Sequence, residues 1–248
     1  MTPSSPSGGA PAEVAGKTVW IIDTLSRVYQ LFHALPEMSS PAGMPVQAVY
    51  GFTKDLLGIL EKRKPDYLFC AMDAPGPTFR HDRHADYKGT RAEMPADLVP
   101  QIPLVRDLCA TMGIPCLELA GYEADDILAT IAVRATAAGA NVVVATSDKD
   151  ARQLLSDRVS ILNLRTNMPM GPAELRAEWG IAPEQVVDWL ALVGDTADNV
   201  PGVPQIGPKA ATELLARFGD LETLLAHVDE VKGAKKQENL RLHADTAR

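Results

Sequence analysis

Long apolar runs are missing from this 248-residue chain, and none approaches the roughly 18–20 residues that a membrane-spanning helix needs. Cysteine is scarce. Cys70, Cys109 and Cys116 are odd in number and lack paired C-x-x-C spacing, which argues against a disulfide scaffold or a thiolate zinc site and fits a reducing compartment. Aromatic residues make up 5% of the chain, too few for a base-stacking sheet surface. Basic residues are outnumbered, 24 against 32 acids, for a formal charge of −8. Taken alone, that balance opposes nucleic-acid binding, because phosphate contacts need Lys and Arg. Net charge averages over sites, however, and carboxylates that ligate metal ions present a different field once loaded. What is present in quantity, 46% hydrophobic residues at a mean hydropathy of −0.05, excludes a disordered or fibrous chain. The length suits one large α/β domain with a small appended module, or two small domains.

Residues 1–16 are rich in Pro, Ser, Gly and Ala and carry one charge. Without the basic start and apolar core of a signal peptide they read as a disordered tail. From Thr18 the pattern changes. Runs at 18–22, 67–72, 115–119, 141–146 and 159–164 predict strands, and periodic segments at 46–62, 98–112 and 124–138 predict helices that stop at Gly113 and Gly139. Alternating strands and helices argue for an α/β fold around a parallel sheet. From Pro172 onward the strand pattern ends, and 172–179, 183–193, 208–218 and 221–228 read as short helices. The expected division is an α/β unit over 17–168 and a helical subdomain over 169–248. Val49, Phe52, Leu56, Leu57 and Leu60 form a core-facing stripe, and Trp20, Trp179 and Trp189 read as packing residues.

The acids are not scattered. Asp23 follows the first strand, Asp73 the second, and Asp148 and Asp150 the strand ending near Thr146. One Asp at a strand end is ordinarily a turn former or helix N-cap. Three strands that each deliver an acid to the same sheet edge point to a shared site, since open α/β sheets bind ligands beyond their strands' carboxyl ends. Glu123, Asp125 and Asp126 open a helix, and Asp195 and Asp198 stand three apart in a later loop. So many like charges would raise one another's pKa values unless cations neutralise them. An oxygen-only donor set with no His nearby in sequence selects Mg²⁺ or Mn²⁺ over zinc. Nine carboxylates exceed what one Mg²⁺ uses directly, and two such ions about 4 Å apart suit in-line displacement at a phosphodiester.

Six blocks in order then carry a resemblance: PVQAVYGF (45–52), MDAPGPTFRH (72–81), DYKGTRAEMP (86–95), GYEADDILA (121–129), TSDKDARQLL (146–155) and GDTADNVPGVPQIGPKAA (194–211). They resemble the 5′ nuclease domain of bacterial DNA polymerase I, within the superfamily of phage 5′ nucleases and flap endonucleases. The resemblance implies a PIN-like parallel central sheet flanked by helices, a helical arch at about 76–97, and a C-terminal helix–hairpin–helix at about 186–218. It implies metal-dependent hydrolysis of DNA at or near 5′ ends and flaps, for primer removal and repair. The first metal site would draw on Asp23, Asp73, Glu123, Asp125 and Asp126, the second on Asp148, Asp150, Asp195 and Asp198. In the arch, Lys88 would approach the scissile phosphate, Arg91 would hold a non-bridging oxygen, Tyr87 would stack on an unpaired base, and Arg80 would touch DNA. At the hairpin, Gly202, Val203, Ile206, Gly207 and Lys209 would grip the duplex backbone, with a K⁺ ion in the turn. Lys209 and the helix N-terminus supply the charge for that grip.

The implied partners are DNA with a 5′ flap, nick or free 5′ end, an RNA primer, and a covalently continuous polymerase. A cytoplasmic monomer with no membrane contact is expected. Three positions depart from the family pattern: Thr24 and Gln205 stand where relatives have Gly, and Gln30 where many have Arg. The alternative is a non-catalytic homologue that holds branched DNA, which the full acid set argues against. PIN-type ribonucleases share the acidic edge but lack the arch and hairpin. A phosphatase of the haloacid dehalogenase type needs a second Asp two residues after Asp23, where this chain has Leu25.

Overall fold

In the computed structural model, which describes residues 14–84, 86–90 and 92–248, strand β1 (Thr18–Asp23) lies in the middle of a six-stranded sheet. Its run TVWIID alternates across the sheet: Val19 and Ile21 enter one core, Trp20 and Ile22 the other. β2 (Tyr67–Ala71) and β4 (Asn141–Ala145) flank it in parallel, with Asp23 opposite Ala71 and Ile22 opposite Ala145. β3 (Cys116–Leu117) and β5 (Val159–Asn163) extend the parallel sheet outward, and β6 (Met168–Met170) closes one edge antiparallel, giving the order β3-β2-β1-β4-β5-β6. A strand buried on both faces must be apolar throughout, which is why these runs were legible. β6 was not predicted: the three-residue Met-Pro-Met shows no alternation, and it carries the sheet to Met170, past the expected division at 168/169.

Helices α1 (Thr24–Ala34), α2 (Gln47–Gly58) and α4 (Gln101–Thr111) pack on the Trp20 face through Val28, Leu31, Phe52, Leu56 and Val105. α5 (Ala124–Ala137) packs on the other face through Ala124, Leu128 and Ala132. Each large aliphatic side chain buried this way contributes roughly 1.5–3 kcal/mol. The α2 stripe is corrected at its end. Phe52 and Leu56 are fully buried, but Leu57 and Leu60 are 45% and 39% exposed, because the helix widens into a π-turn (Ile59–Arg63) that turns Ile59 inward instead. α4 starts at Gln101 and not at 98, after turns through Pro95 and Pro100. Among its described residues, the expected arch segment holds one five-residue helix, α3 (Phe79–Arg83), with turns and coil beside it.

Beyond the sheet come α6 (Pro172–Trp179), α7 (Val186–Val193), α8 (Pro208–Phe218), α9 (Leu221–Ala226), α10 (Ala234–Leu242) and α11 (Ala244–Ala247). Trp179 and Trp189 stack with ring centroids 4.2 Å apart, the packing role expected of them. Strand structure does not end at Pro172: β7 (Gly194–Asp195) and β8 (Val200–Pro201) form a two-residue antiparallel pair. Its ends meet so closely that a Cβ on Gly202 would lie 2.3 Å from the Val193 carbonyl. Only glycine fits there, and the loop carrying Asp195 and Asp198 is pinned as a result. The expected tail lies outside the described residues up to position 13; Gly16 is ordered, its N–H donating to Gly139 O at 2.9 Å. Among the described residues no helix is long and apolar enough to cross a membrane.

Candidate metal centre

The strand register decides where the acids go. Asp23 ends β1 and is also the N-cap of α1, accepting from Ser26 N at 3.3 Å through Oδ1. Its other oxygen accepts from the Thr146 hydroxyl at 2.8 Å, and Thr146 Oγ1 in turn accepts from Asp148 N at 3.0 Å. Thr146 thus ties the ends of adjacent strands β1 and β4 together. Asp73, two residues past β2, accepts from Ala124 N at 2.7 Å and fixes the start of α5 to the same edge. Burial pushes the Asp23 carboxyl up to about 6, and the neighbouring charges of Asp148 and Asp73 add to the shift against the hydrogen bonds from Thr146 and Ser26. Asp125 is pushed up to about 8, by burial first and then by Asp23, Asp148 and Asp73, with Lys88 opposing. Asp23, Asp73, Asp125 and Asp148 are therefore near enough to disfavour one another's ionisation, and their unneutralised charge is costly.

A second group forms beside it. Single carboxylate oxygens of Asp150, Asp195 and Asp198 all lie within 4.8 Å of one another, in half-buried positions. Asp150 is raised by burial and by Asp148 and Asp195, with Lys149 opposing. Lys149 donates to Asp150 at 3.0 Å and to Asp195 at 2.6 Å. Asp195 ends below the ordinary range: burial pushes it up, but Lys149 and the Ala197 N–H outweigh that. Asp148 is felt in both groups, which differs from the expected division of five acids against four.

The remaining acids are held by the arch. Arg80 grips Asp126 with two 2.8 Å bonds and lies 3.7 Å from Glu123. Burial works against ionisation of Asp126, yet Arg80 and the Glu123 N–H hold it below the usual carboxylate range. Glu123, buried, receives Lys88 Nζ at 2.8 Å and the Tyr87 hydroxyl at 3.0 Å. The Tyr87 hydroxyl also lies 3.0 Å from Asp198, so its one proton is shared between Glu123 and the second group. Its ring is buried edge-on against His81, with Lys88 Nζ 5.0 Å above it, and has no open face toward a base in this conformation. Arg91 lies outside the described residues.

The arch is also clasped to the loop that carries Asp195 and Asp198. Lys88 N donates to Asp198 O at 3.0 Å, Asn199 Nδ2 to Asp86 O at 3.0 Å, and His84 Nε2 lies 3.1 Å from Asn199 O. Asn199 adopts φ 57°, a left-handed backbone that Asn tolerates better than most residues. Sequence reasoning missed Thr146, Lys149, His84 and Asn199. Lys149 had a readable signal, a lysine between two acids; the clasp runs mostly to backbone carbonyls and had none.

The hairpin residues are brought together, in two roles. Val203 and Ile206 are buried, and their N–H groups are spent on Leu192 O (2.9 Å) and Val203 O (3.0 Å), so they shape the turn. Gly207 and Lys209 are exposed at the start of α8, where helix N–H groups and an ammonium face outward. Gln205 sits at φ 66°, a conformation that favours the Gly of relatives. Gln205→Gly is expected to raise unfolding stability by about 0.5–1 kcal/mol, read as a denaturant midpoint shift. Thr24 is fully buried with its hydroxyl on Ile22 O at 3.3 Å, so it does not crowd the acidic edge. Gln30 accepts from Arg27 Nη1 at 3.2 Å and donates to Ser147 Oγ, bracing the loop between Thr146 and Asp148.

The donor set fits hard divalent ions: oxygens of Asp150, Asp195 and Asp198 lie close enough to converge on a small cation, and Asp23, Asp125 and Asp150 are raised by burial and by neighbouring carboxylates. A family model described as the 5′-3′ exonuclease N-terminal resolvase-like domain matches residues 18–180, and the 5′-3′ exonuclease C-terminal SAM fold matches 181–248. The chain is 43% identical over 235 residues to DNA polymerase I of Bacillus caldotenax, covering 93% of this chain but 27% of that polymerase. It is 39% identical over 226 residues to the 5′-3′ exonuclease of Aquifex aeolicus, covering 90% of this chain and 78% of that protein. A crystal structure of the T5 D15 protein with metal ions superposes with a TM-score of 0.81 at 19% identity, over 93% of this chain and 86% of that one, which shows a shared fold.

Proposed function

The chain belongs to the 5′-3′ exonuclease family, and from that premise we propose that it cuts DNA phosphodiesters at 5′ ends and at the base of 5′ flaps with two bound Mg²⁺ or Mn²⁺ ions. The observation that carries this reading is the cluster of Asp150, Asp195 and Asp198 beside the raised carboxyls of Asp23 and Asp125, with Lys88 and Arg80 on the neighbouring acids. When bound, such ions supply an activated water and stabilise charge on the attacking and leaving oxygens. The chain's own residues do the rest. Asp23, Asp73, Asp125 and Asp148 hold the first ion, and Asp150, Asp195 and Asp198 the second; Glu123 and Asp126 act on the first through their positions at the start of α5. Lys88 and Arg80, which now neutralise Glu123 and Asp126, are the cations placed to meet a phosphate once ions take over that neutralisation. Arg91 is assigned to the same phosphate.

Gly207 and Lys209 grip the duplex backbone without reading sequence, and a K⁺ ion at the 202–206 turn belongs to the same grip. Removal of RNA primers, a monomeric state and covalent continuity with a polymerase complete the reading; the chain spans about a quarter of the polymerases it matches. The test uses a 5′-flap duplex and a single-stranded RNA, each with Mg²⁺ or chelator. Metal-dependent cleavage near the flap junction supports it, and cleavage of the RNA alone would favour a PIN-type ribonuclease. Lys88→Ala should slow single-turnover cleavage about 10–100-fold and leave duplex affinity nearly unchanged. Lys209→Ala should weaken binding and lower its salt slope by about one phosphate contact, with a normal single-turnover rate at saturation. Identical kinetic signatures would contradict the division between arch and hairpin.

A further inference from the structure

Outside the acidic edge, beside the arch segment, lies an open apolar trough of about 660 Å³ lined by Phe79, Leu117, Leu119, Tyr122, Ile127 and Ile131. Tyr122 is 46% exposed and Leu119 54%, large apolar surfaces left open to solvent. Phe79 is the ridge between this trough and a second cavity of about 690 Å³, which contains Asp150, Asp195 and Asp198. The ring of Tyr122 stands 5.7 Å from that of Phe79, centroid to centroid, and the Phe79 N–H donates to Gly121 O at 3.2 Å, which fixes the ridge to the loop before α5.

The acids of the trough do not bar a polyanion. Its two acids are already neutralised, Asp126 by the Arg80 fork and Glu118 by Arg106 at 2.5 Å. Arg83, exposed on the cavity side of the ridge and 5.9 Å from the Phe79 ring, makes no ion pair among the described residues. A strand that leaves the acidic groups and crosses the ridge would therefore meet the exposed guanidinium of Arg83 over the Phe79 ring and then an open aromatic surface. We propose that the trough takes the unpaired nucleotides of the 5′ single strand, one base lying on Tyr122 and a phosphate against Arg83. This rests on the nuclease reading for the identity of the strand. It adds a base-dependent but sequence-tolerant contact, because every base offers a π-face.

The test measures binding without cleavage. In chelator, fluorescence anisotropy compares a duplex bearing a six-thymidine 5′ arm with the same duplex bearing six abasic residues. The protein should bind the thymidine arm about tenfold more tightly, within the range that base–aromatic stacking supplies. Tyr122→Ala should abolish that difference and Tyr122→Phe should keep it; Leu119→Glu, which places a charge on the trough floor, should reduce it with the folded state checked by circular dichroism. Equal affinity for both arms in the unaltered protein, or a full difference retained in Tyr122→Ala, would overturn the proposal. Base-dependent arm binding without any Mg²⁺-dependent cleavage would instead sink the nuclease reading and leave the trough assignment standing.

Discussion

Asp148→Ala is expected to lower cleavage of a 5′-flap duplex by roughly 10³-fold or more, with duplex affinity changed less than about threefold. The choice of residue follows from the charge map. Asp126 and Glu123 have cationic partners in Arg80 and Lys88, and Asp195 has Lys149. Asp148 raises Asp23 and Asp125 on one side and Asp150 on the other, so it is the acid common to both groups. Its Oδ1 also accepts from Asp150 N at 2.9 Å and sets the turn that presents Asp150. Removing it weakens both ion sites at once. A deficit of about 4 kcal/mol in transition-state stabilisation corresponds to that factor in rate. The duplex grip lies at Gly207 and Lys209, on a different element, which is why affinity should survive. Single-turnover cleavage and gel-shift binding in Ca²⁺ measure the two quantities. Turnover within tenfold of the unaltered protein would remove Asp148 from the centre of the site.

The separation between what the sequence disclosed and what it hid has a physical basis. Asp23, Asp73 and Asp148 were legible because a parallel sheet brings all its strands' carboxyl ends to one side, so an acid after each apolar run must lie near the others. The same reasoning could not divide the acids into groups. That division depends on Lys88, Arg80, Tyr87 and Lys149, whose partners lie as far away as 111 residues in the case of Tyr87 and Asp198. The arch clasp was equally hidden, since His84 and Asn199 bond to backbone carbonyls and such bonds leave no residue-type pattern. At the hairpin the sequence motif is also a packing motif. Val203 and Ile206 bury their side chains and spend their N–H groups on the turn itself. At Gly202 a Cβ would meet the Val193 carbonyl, so packing alone requires glycine there.

Stability without metal should fall as pH rises, contrary to the habit of acid-destabilised proteins. Asp23 and Asp125 have folded-state values of about 6 and about 8 against an ordinary 3.8, so the fold favours their protonated forms. A group raised in this way contributes its full stabilisation below the unfolded value and loses it as pH climbs through the folded one. The loss should begin near pH 4 and run to about pH 9. Asp126 and Asp195 are shifted downward and lose their contribution only in more acid solution, so they leave this window clear. In chelator, the melting temperature at pH 9 should lie roughly 10–20 °C below that at pH 5, taking about 1.4 kcal/mol per pKa unit and about 2–4 °C per kcal/mol for a chain of this size. Saturating Mg²⁺ should recover most of the difference, because an ion in the pocket stabilises the ionised carboxylates that burial disfavours. Asp125→Asn supplies the internal control: it removes the carboxyl with the largest upward shift and should flatten the pH 5–9 decline in chelator while reducing the gain from Mg²⁺. Parallel declines for the two proteins would mean that Asp125 ionises as freely as a surface acid, and the crowded pocket from which the metal assignment follows would not exist.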